Sequence, residues 1–491
     1  MITSPAFAGK TYAVLGLARS GLATVAALLA SGAKVVAWDA NEGAREKLLP
    51  GTGRGTGEAG GGGAPQTAAS RAERPLHHPS ATAASQPASR DDPPPAGHSF
   101  ALRPPPRAGE DLVLADPLTL DLTGFAGVIV SPGVPLNRHP IAGHAARFGV
   151  PVIGDIELFA LARPSLPTHK VVGITGTNGK STTTALITHI LETAGVPTLM
   201  GGNIGLPILG RDPLPEGGVY VLELSSYQID LTQSLDCDVA VLLNITPDHL
   251  DRYDGFEGYA ASKARLFSLS TGTAVIAVED EQTRRIASAL KPTSTGEKGD
   301  RLVAIRSTEI ADQSAWPALQ GPHNAQNAAA AIATARALGV PEDAIAEGLR
   351  TYPGLPHRME RVATRDGVLF VNDSKATNPT STAPALDAFP AIHWILGGLP
   401  KTNDLDALEE HLGHVRAAYT IGQAGDMYAG LLDGRMPVTR SGTLAQAVQD
   451  AAAAARAGEV VLLSPACASF DQFKDYEARG DAFRAAVEAL A

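Results

Sequence analysis

Lys180 stands between a glycine turn and a run of hydroxyl side chains, in the stretch Val171 to Thr184 that reads VVGITGTNGKSTTT. Glycines let consecutive backbone N–H groups face an anion, a helix that starts there adds its positive end, and a lysine adds a point charge. The hydroxyl of Ser181 or Thr182 is then placed to hold Mg2+. Gly176, Thr177, Asn178, Gly179, Lys180, Ser181 and Thr182 therefore form a candidate site for the polyphosphate of ATP or GTP. The spacing is a variant of the G-x-x-x-x-G-K-[ST] pattern, because Gly173 lies one residue too far from Gly179-Lys180. A plain glycine turn would give no reason for lysine and hydroxyl to follow in that order.

Such a loop needs a strand to deliver it and a helix to follow it. Val171, Val172 and Ile174 supply the strand, and Leu186, Ile187, Ile190 and Leu191 recur at helical spacing. Further apolar runs, VYVLELSS (Val219 to Ser226) and DVAVLLNI (Asp238 to Ile245), alternate with helical stretches, as in a mainly parallel α/β sheet. In such sheets functional groups gather at the carboxyl ends of the strands. Glu223 sits inside an otherwise apolar strand, where a carboxylate is costly unless paired or bound to a metal. A metal-linked role and a structural ion pair are its two readings. His249 lies between two aspartates in TPDHLDRY, where a solvated or capping histidine is the alternative to a functional one. Lys263, in the helical run YAASKARLF, would on its own be a surface lysine.

Two flanking regions carry strand patterns of their own. Thr11 to Leu15, the turn Gly16 to Gly21, the helical run Leu22 to Ala30 and the strand Lys34 to Trp38 ending at Asp39 make a βαβ opening. Its loop approaches the dinucleotide fingerprint, but Ala18 replaces the middle glycine, so a nucleotide-shaped unit without NAD is an equal reading. Residues 51–110 shift to Gly, Ala, Pro, Ser and Arg with few aliphatic residues, which predicts a disordered insertion. The pair His77-His78 within it lacks further metal-ligand spacing and reads as solvated. The fold resumes at Gly127 to Val130, before Ser131-Pro132-Gly133. Beyond Leu355-Pro356-His357-Arg358, the runs Gly367 to Ser374, Ala391 to Gly398, Ala417 to Gly422 and Glu459 to Ser469 predict a third unit with its own strand-end site.

With 491 residues the chain exceeds a single core and suggests about three domains. Its net charge of −11 argues against a nucleic-acid or anionic membrane surface, so anions must be bound locally. Two cysteines, Cys237 in an apolar strand pattern and Cys467, offer no disulfide framework, which fits a reducing cytoplasm. The apolar run Ala23 to Ala30 is too short to span a bilayer. These features predict a cytoplasmic protein without membrane insertion.

Taken together, TGTNGKST, GGNIGLP, LELSSYQ, NITPDHLDRY, GPHNAQN and LPHRME resemble the Mur ligases. NDSKATNP, GGLPK and SPACASFDQFKDYEARG place the resemblance nearest the branch that adds D-glutamate, and the D-N-P-R run of the diaminopimelate-adding relatives is absent. The resemblance implies three α/β domains: 1–158, Rossmann-like, for a UDP-linked substrate; 159–354, a P-loop ATPase with a mainly parallel sheet; and 355–491, Rossmann-like, for the amino acid. It implies a monomer that joins D-glutamate to UDP-N-acetylmuramoyl-L-alanine through an acyl phosphate, using ATP and two Mg2+ ions. Lys180, His249 and Lys263 would then be catalytic, with Ser181, Glu223, His249 and a carbamylated Lys263 serving the metals. Asn324, Asn327, Arg358 and Asp373 match positions around ATP. Leu17, Ala18, Asp39, Ser131 and Asn203 match positions around the UDP-sugar. Thr377, Lys401, Ser469 and Tyr476 match the need for donors and pocket wall around D-glutamate, with Lys375 serving phosphate.

Three other readings compete. A folate-polyglutamate ligase shares the ATP loop but would lack the first βαβ unit. An NAD dehydrogenase leaves the P-loop unexplained, and a non-enzymatic nucleotide-binding scaffold leaves Glu223, His249 and Lys263 without a purpose.

Overall fold

Short apolar runs alternating with amphipathic stretches bury both faces of parallel strands under helices, and this rule builds the chain three times over. The computed structural model describes residues 1–48, 111–248, 252–290 and 301–490. The first sheet contains β1 (Thr11–Leu15), β2 (Lys34–Trp38), β3 (Leu112–Leu114), β4 (Phe125–Val130) and β5 (Val152–Ile153), in the order β3-β2-β1-β4-β5. All its pairs are parallel. The predicted insertion, 51–110, with His77-His78, lies outside the described residues, while β2 and β3 on either side of it pair directly.

The second sheet contains β6 (His169–Thr175), β7 (Thr198–Gly202), β8 (Gly218–Glu223), β9 (Val239–Leu242), β10 (Thr273–Ala277) and β11 (Leu302–Ile305), in the parallel order β11-β10-β9-β6-β8-β7. The third contains β12 (Glu360–Arg365), β13 (Val368–Asn372), β14 (Ile392–Gly397), β15 (Val415–Ile421), β16 (Val438–Gly442) and β17 (Val460–Leu463), in the order β12-β13-β17-β14-β15-β16. Only β12 runs antiparallel there, against β13.

The order of strands creates the crevices. In the first sheet the chain reverses direction across β1 and β4, so the loops leaving those two strands diverge and leave a cleft at their carboxyl ends. In the second the reversal falls at β6, which has β8 on one side and β9 on the other, and β6 is the strand that delivers the glycine loop.

The strands end earlier than the apolar runs suggest. β8 stops at Glu223, β9 at Leu242 and β17 at Leu463. Cys237 lies just before β9 rather than within it, although it is buried. Strands β12 and β16, at sheet edges, have no continuous apolar run, and each is only partly buried.

One apolar core runs through the first and second units. Ile2, Phe7, Phe159, Tyr220 and Leu266 belong to the same cluster, with the rings of Phe159 and Tyr220 edge to face at 5.0 Å. The helix Asp155–Ala162 lies in this shared core, so the predicted division at 158/159 falls inside a buried helix. Its Glu157 accepts the Gln233 and Ser234 amides at 2.6 and 2.9 Å, fixing the helix to the second unit. Truncation of Phe159 to alanine is expected to cost about 3–5 kcal/mol. The third unit builds separate cores on the two faces of its sheet, around Trp394 and Phe483. Among the described residues no helix is long and apolar enough to cross a membrane.

Candidate active site

The glycine loop leaves β6 and enters the helix Lys180–Thr193 through Gly179, whose φ of 83° is left-handed. A side chain there would also collide with Asn327 Oδ1, so the position needs glycine twice over. The Thr177 and Asn178 amides both donate to Asn244, at 2.8 Å to its carbonyl and 2.8 Å to Oδ1. Those two N–H groups brace the loop in this arrangement, leaving the amides at the helix start for an anion. Asn244, just beyond β9, was missed by the sequence reading. Its signal was an amide residue closing an apolar strand in NITPDH.

Lys180 Nζ donates to the carbonyls of Gly176 and Thr177 at 2.9 and 2.8 Å. Burial lowers its pKa, Glu223 and Asp248 oppose that, and Arg358 and Lys375 add to it. Four elements therefore bring charge to one place: the P-loop helix, the end of β8, the segment after β9 and the start of the third unit. Ser181 is buried in the first turn of the helix and Thr182 half-buried beside it.

Glu223 is 2% exposed at the end of β8. Its Oε1 accepts Asn203 Nδ2 at 3.1 Å, whereas Oε2 has no hydrogen-bond partner among the described residues. An orphaned, buried carboxylate oxygen is the kind of ligand a cation site supplies, and the charges of Lys180 and Lys375 also act on Glu223. Mg2+ takes one or two protein oxygens and fills its shell from phosphates and water. Ser181 and Glu223 fit that role. His249 lies outside the described residues.

Lys263, on the helix Gly255–Leu269, is 1% exposed and not the surface lysine its position alone suggests. Its Nζ donates to the Gly176 carbonyl at 2.8 Å and lies 4.5 Å from the centroid of the Tyr259 ring. Burial, followed by the charge of Lys180, pulls its pKa down to about 7.

Asn327 is buried on the helix Pro322–Leu338 and accepts Thr183 Oγ1 at 3.2 Å, which places it on the P-loop helix. Its Nδ2 donates to Asn324 Oδ1 at 3.1 Å. Arg358 opens the third unit between two non-glycine residues in left-handed conformation, His357 at φ 61° and Met359 at φ 48°. Each such residue costs of order 1–2 kcal/mol, and such outliers persist where the surroundings hold them. Here the His357 amide donates to Glu360 Oε2 at 2.8 Å and the Met359 amide to Asp373 Oδ1 at 3.2 Å. The Arg358 Nε has no partner among the described residues, so a second buried polar atom is orphaned at this junction. Asp373 itself is buried and accepts Ser464 Oγ at 2.8 Å; burial raises its pKa to about 7.

In the first sheet Leu17 and Ala18 follow β1, Asp39 follows β2 and Ser131 follows β4, all at the carboxyl ends of their strands. Asp39 Oδ2 accepts the Leu17 amide at 2.7 Å, Ser131 Oγ donates to the Gly16 carbonyl at 3.0 Å, and Ala18 caps the helix Arg19–Ala30. Asn203 stands apart from these four, after β7 in the second unit and on Glu223.

In the third unit Lys401 Nζ donates to Thr377 Oγ1 at 3.0 Å. The Leu399 and Ala468 backbones exchange hydrogen bonds at 2.9 and 3.0 Å, which sets the Lys401 loop beside the buried Ser469. Tyr476 begins the helix Tyr476–Glu488, and Lys375 Nζ lies 5.5 Å from its ring centroid. Burial lowers the pKa of Lys375, Arg358 lowers it further and Glu223 opposes, so this unit faces the P-loop electrostatically.

A P-loop sheet flanked by two nucleotide-type α/β units, with charged groups from the second and third converging on the loop, defines a three-domain nucleotide-dependent ligase fold. The Mur ligase middle domain matches residues 174–335, and the Mur ligase, glutamate ligase domain, matches 357–467. A UDP-N-acetylmuramoylalanine–D-glutamate ligase of Novosphingobium aromaticivorans is 57% identical over 100% of this chain and 97% of its own. The ligase of the same name from Sphingopyxis alaskensis is 56% identical, with 100% of both chains covered. Among solved structures, MurF from Acinetobacter baumannii shares the fold at a TM-score of 0.51 and 23% identity, over 67% of this chain and 79% of its own. The chain belongs to the Mur ligase family.

Proposed function

We propose that this enzyme joins D-glutamate to UDP-N-acetylmuramoyl-L-alanine at the expense of ATP, as a cytoplasmic monomer supplying peptidoglycan precursors. The full-length identity to two ligases that carry that name supports the reading. The observation that carries it is the convergence of Lys180, Glu223 and Lys263 on the P-loop, with Arg358 and Lys375 of the third unit near enough to shift Lys180.

The chemistry demands such a layout. A carboxylate cannot be displaced by an amine until its oxygen becomes a good leaving group, so the γ-phosphoryl group passes to the alanyl carboxylate and the amine of D-glutamate then expels phosphate. The products are the amide, ADP and phosphate. The work of the protein is positioning and charge neutralisation. Lys180 and the loop amides would hold the β and γ phosphates, and Asn324, Asn327, Arg358 and Asp373 would lie around the adenine, ribose and phosphates. Mg2+, when bound, neutralises charge on the transferred group. Ser181 and Glu223 would hold one ion, and His249 with carbamylated Lys263 would serve the second. Residues 1–158 take the UDP-sugar through Leu17, Ala18, Asp39 and Ser131, with Asn203 reaching it from 159–354. Residues 355–491 take D-glutamate through Thr377, Lys401, Ser469 and Tyr476.

The first sheet, which a folate-polyglutamate ligase would lack, counts against that alternative. Phosphate release with ATP, Mg2+, D-glutamate and UDP-N-acetylmuramoyl-L-alanine tests the proposal. It requires release to depend on both co-substrates, and release without D-glutamate, or with folate in place of the UDP-sugar, overturns it.

A further inference from the structure

Arg479 is 1% exposed, among the largest fully buried side chains of the chain, and none of its hydrogen bonds goes to a carboxylate. Its Nε donates to Ser374 Oγ at 3.0 Å and Nη2 to the Ser374 carbonyl at 2.8 Å. Nη2 also reaches the Cys467 carbonyl at 3.1 Å, and Nη1 the Ala468 carbonyl at 3.2 Å. One planar fork therefore ties the segment after β13 to the segment after β17. Ser374 adds a bond to the Tyr476 carbonyl at 2.8 Å, closing the helix that carries Arg479 onto the same knot. The Leu399 loop joins through its backbone pairing with Ala468.

A guanidinium whose hydrogen bonds among the described residues all go to a hydroxyl and to carbonyls is an expensive way to fill a core, since burying charge is repaid only by good hydrogen bonds. Burial draws its pKa down to about 10, which leaves it charged at neutral pH. A fixed fork justifies the cost where separate loops must hold their spacing to within a fraction of an ångström. The loops it ties carry Thr377, Ser469 and, through Leu399, Lys401, the three donors assigned to the incoming amino acid.

We infer that Arg479 is the positioning residue of the D-glutamate pocket, fixing the spacing of its donor loops without touching the substrate. This rests on the assignment of D-glutamate to the third unit. The test uses the full chain with Arg479→Lys, Arg479→Ala and Ser374→Ala, measuring KM for D-glutamate, ATP and the UDP-substrate, and kcat. Arg479→Lys keeps the charge but loses the fork, and is expected to raise the D-glutamate KM about tenfold to hundredfold while the other two KM values stay within about twofold. Ser374→Ala removes one acceptor and is expected to give a smaller rise of the same kind, and ethylguanidinium is expected to restore part of the activity of Arg479→Ala. A uniform rise in all three KM values, or a fall in active enzyme with every KM unchanged, overturns the inference. If Arg479→Lys does not fold, an unchanged D-glutamate KM in Ser374→Ala overturns it. Wild-type phosphate release independent of D-glutamate would instead overturn the function proposed above.

Discussion

Lys180 and Lys263 share one acceptor: both Nζ atoms donate to the Gly176 carbonyl, at 2.9 and 2.8 Å. Two ammonium groups on one oxygen repel, and each is buried, so the arrangement favours either an anion between them or loss of charge from one. Burial lowers the pKa of both lysines, that of Lys263 to about 7.

Lys180→Ala is expected to fold normally and lose activity by a factor equivalent to about 3–4 kcal/mol, because a donor aimed at developing charge in a closed site acts mainly on the transition state. Steady-state kinetics with a thermal melt check this. Near-normal turnover would remove Lys180 from the chemistry.

For Lys263 the expected outcome is dependence on CO2. A neutral amine reacts with CO2 to give a carbamate, an anionic oxygen ligand of the kind magnesium prefers, and a pKa of about 7 makes that neutral form abundant. Stripping CO2 should lower activity and bicarbonate should return it, while Lys263→Ala should respond to neither. Native mass spectrometry reads the added mass directly.

Glu223→Gln keeps the Asn203 bond but replaces the orphaned carboxylate oxygen. The Mg2+ concentration giving half-maximal activity is expected to rise about tenfold or more. An unchanged Mg2+ requirement would leave Glu223 with a structural role only.

The motifs made the ATP loop, its strand and its helix legible because glycine, lysine and hydroxyl spacing is local chemistry. The burial of Lys263 was not legible, since it depends on which face of the helix Gly255–Leu269 meets the P-loop. Asn244 and Arg479 escaped for a related reason: each acts through backbone groups of distant segments, and side chain to backbone bonds leave no complementary partner in the sequence. The edge strands β12 and β16 escaped because half-exposed strands lack the apolar run that marks a buried one.

Asp373 gives a pH test of stability. Its folded pKa of about 7 lies above the unfolded value of about 3.9, so between those limits the folded chain holds a proton that the unfolded chain releases. The contribution of this group is full below about pH 4 and is lost as pH rises through 7. Asp373→Asn keeps an acceptor for the Met359 amide and cannot ionise. Its stability relative to the wild type, from urea unfolding, is expected to increase between about pH 4 and 7 and to stay level above. Parallel curves would show that Asp373 does not titrate in this window.

Lys401 tests where amino-acid selectivity resides. D-Glutamate presents two carboxylates and must keep its amine neutral and free to attack, so its site needs donors that meet both carboxylates from one side. Lys401 and Thr377 already meet at 3.0 Å, and the pairing of Leu399 with Ala468 holds Ser469 alongside. Losing a charge-assisted contact of this kind removes about 1.5–3 kcal/mol. Lys401→Ala is therefore expected to raise the KM for D-glutamate by that equivalent, with ATP and UDP-substrate KM values nearly unchanged, because the lysine is exposed and belongs to neither of the other clefts. Thr377→Val should give a smaller effect in the same direction, and the double variant less than the sum, since the two groups form one bonded pair. A KM change confined to ATP would move Lys401 to the nucleotide side of the cleft and leave D-glutamate without its principal cation.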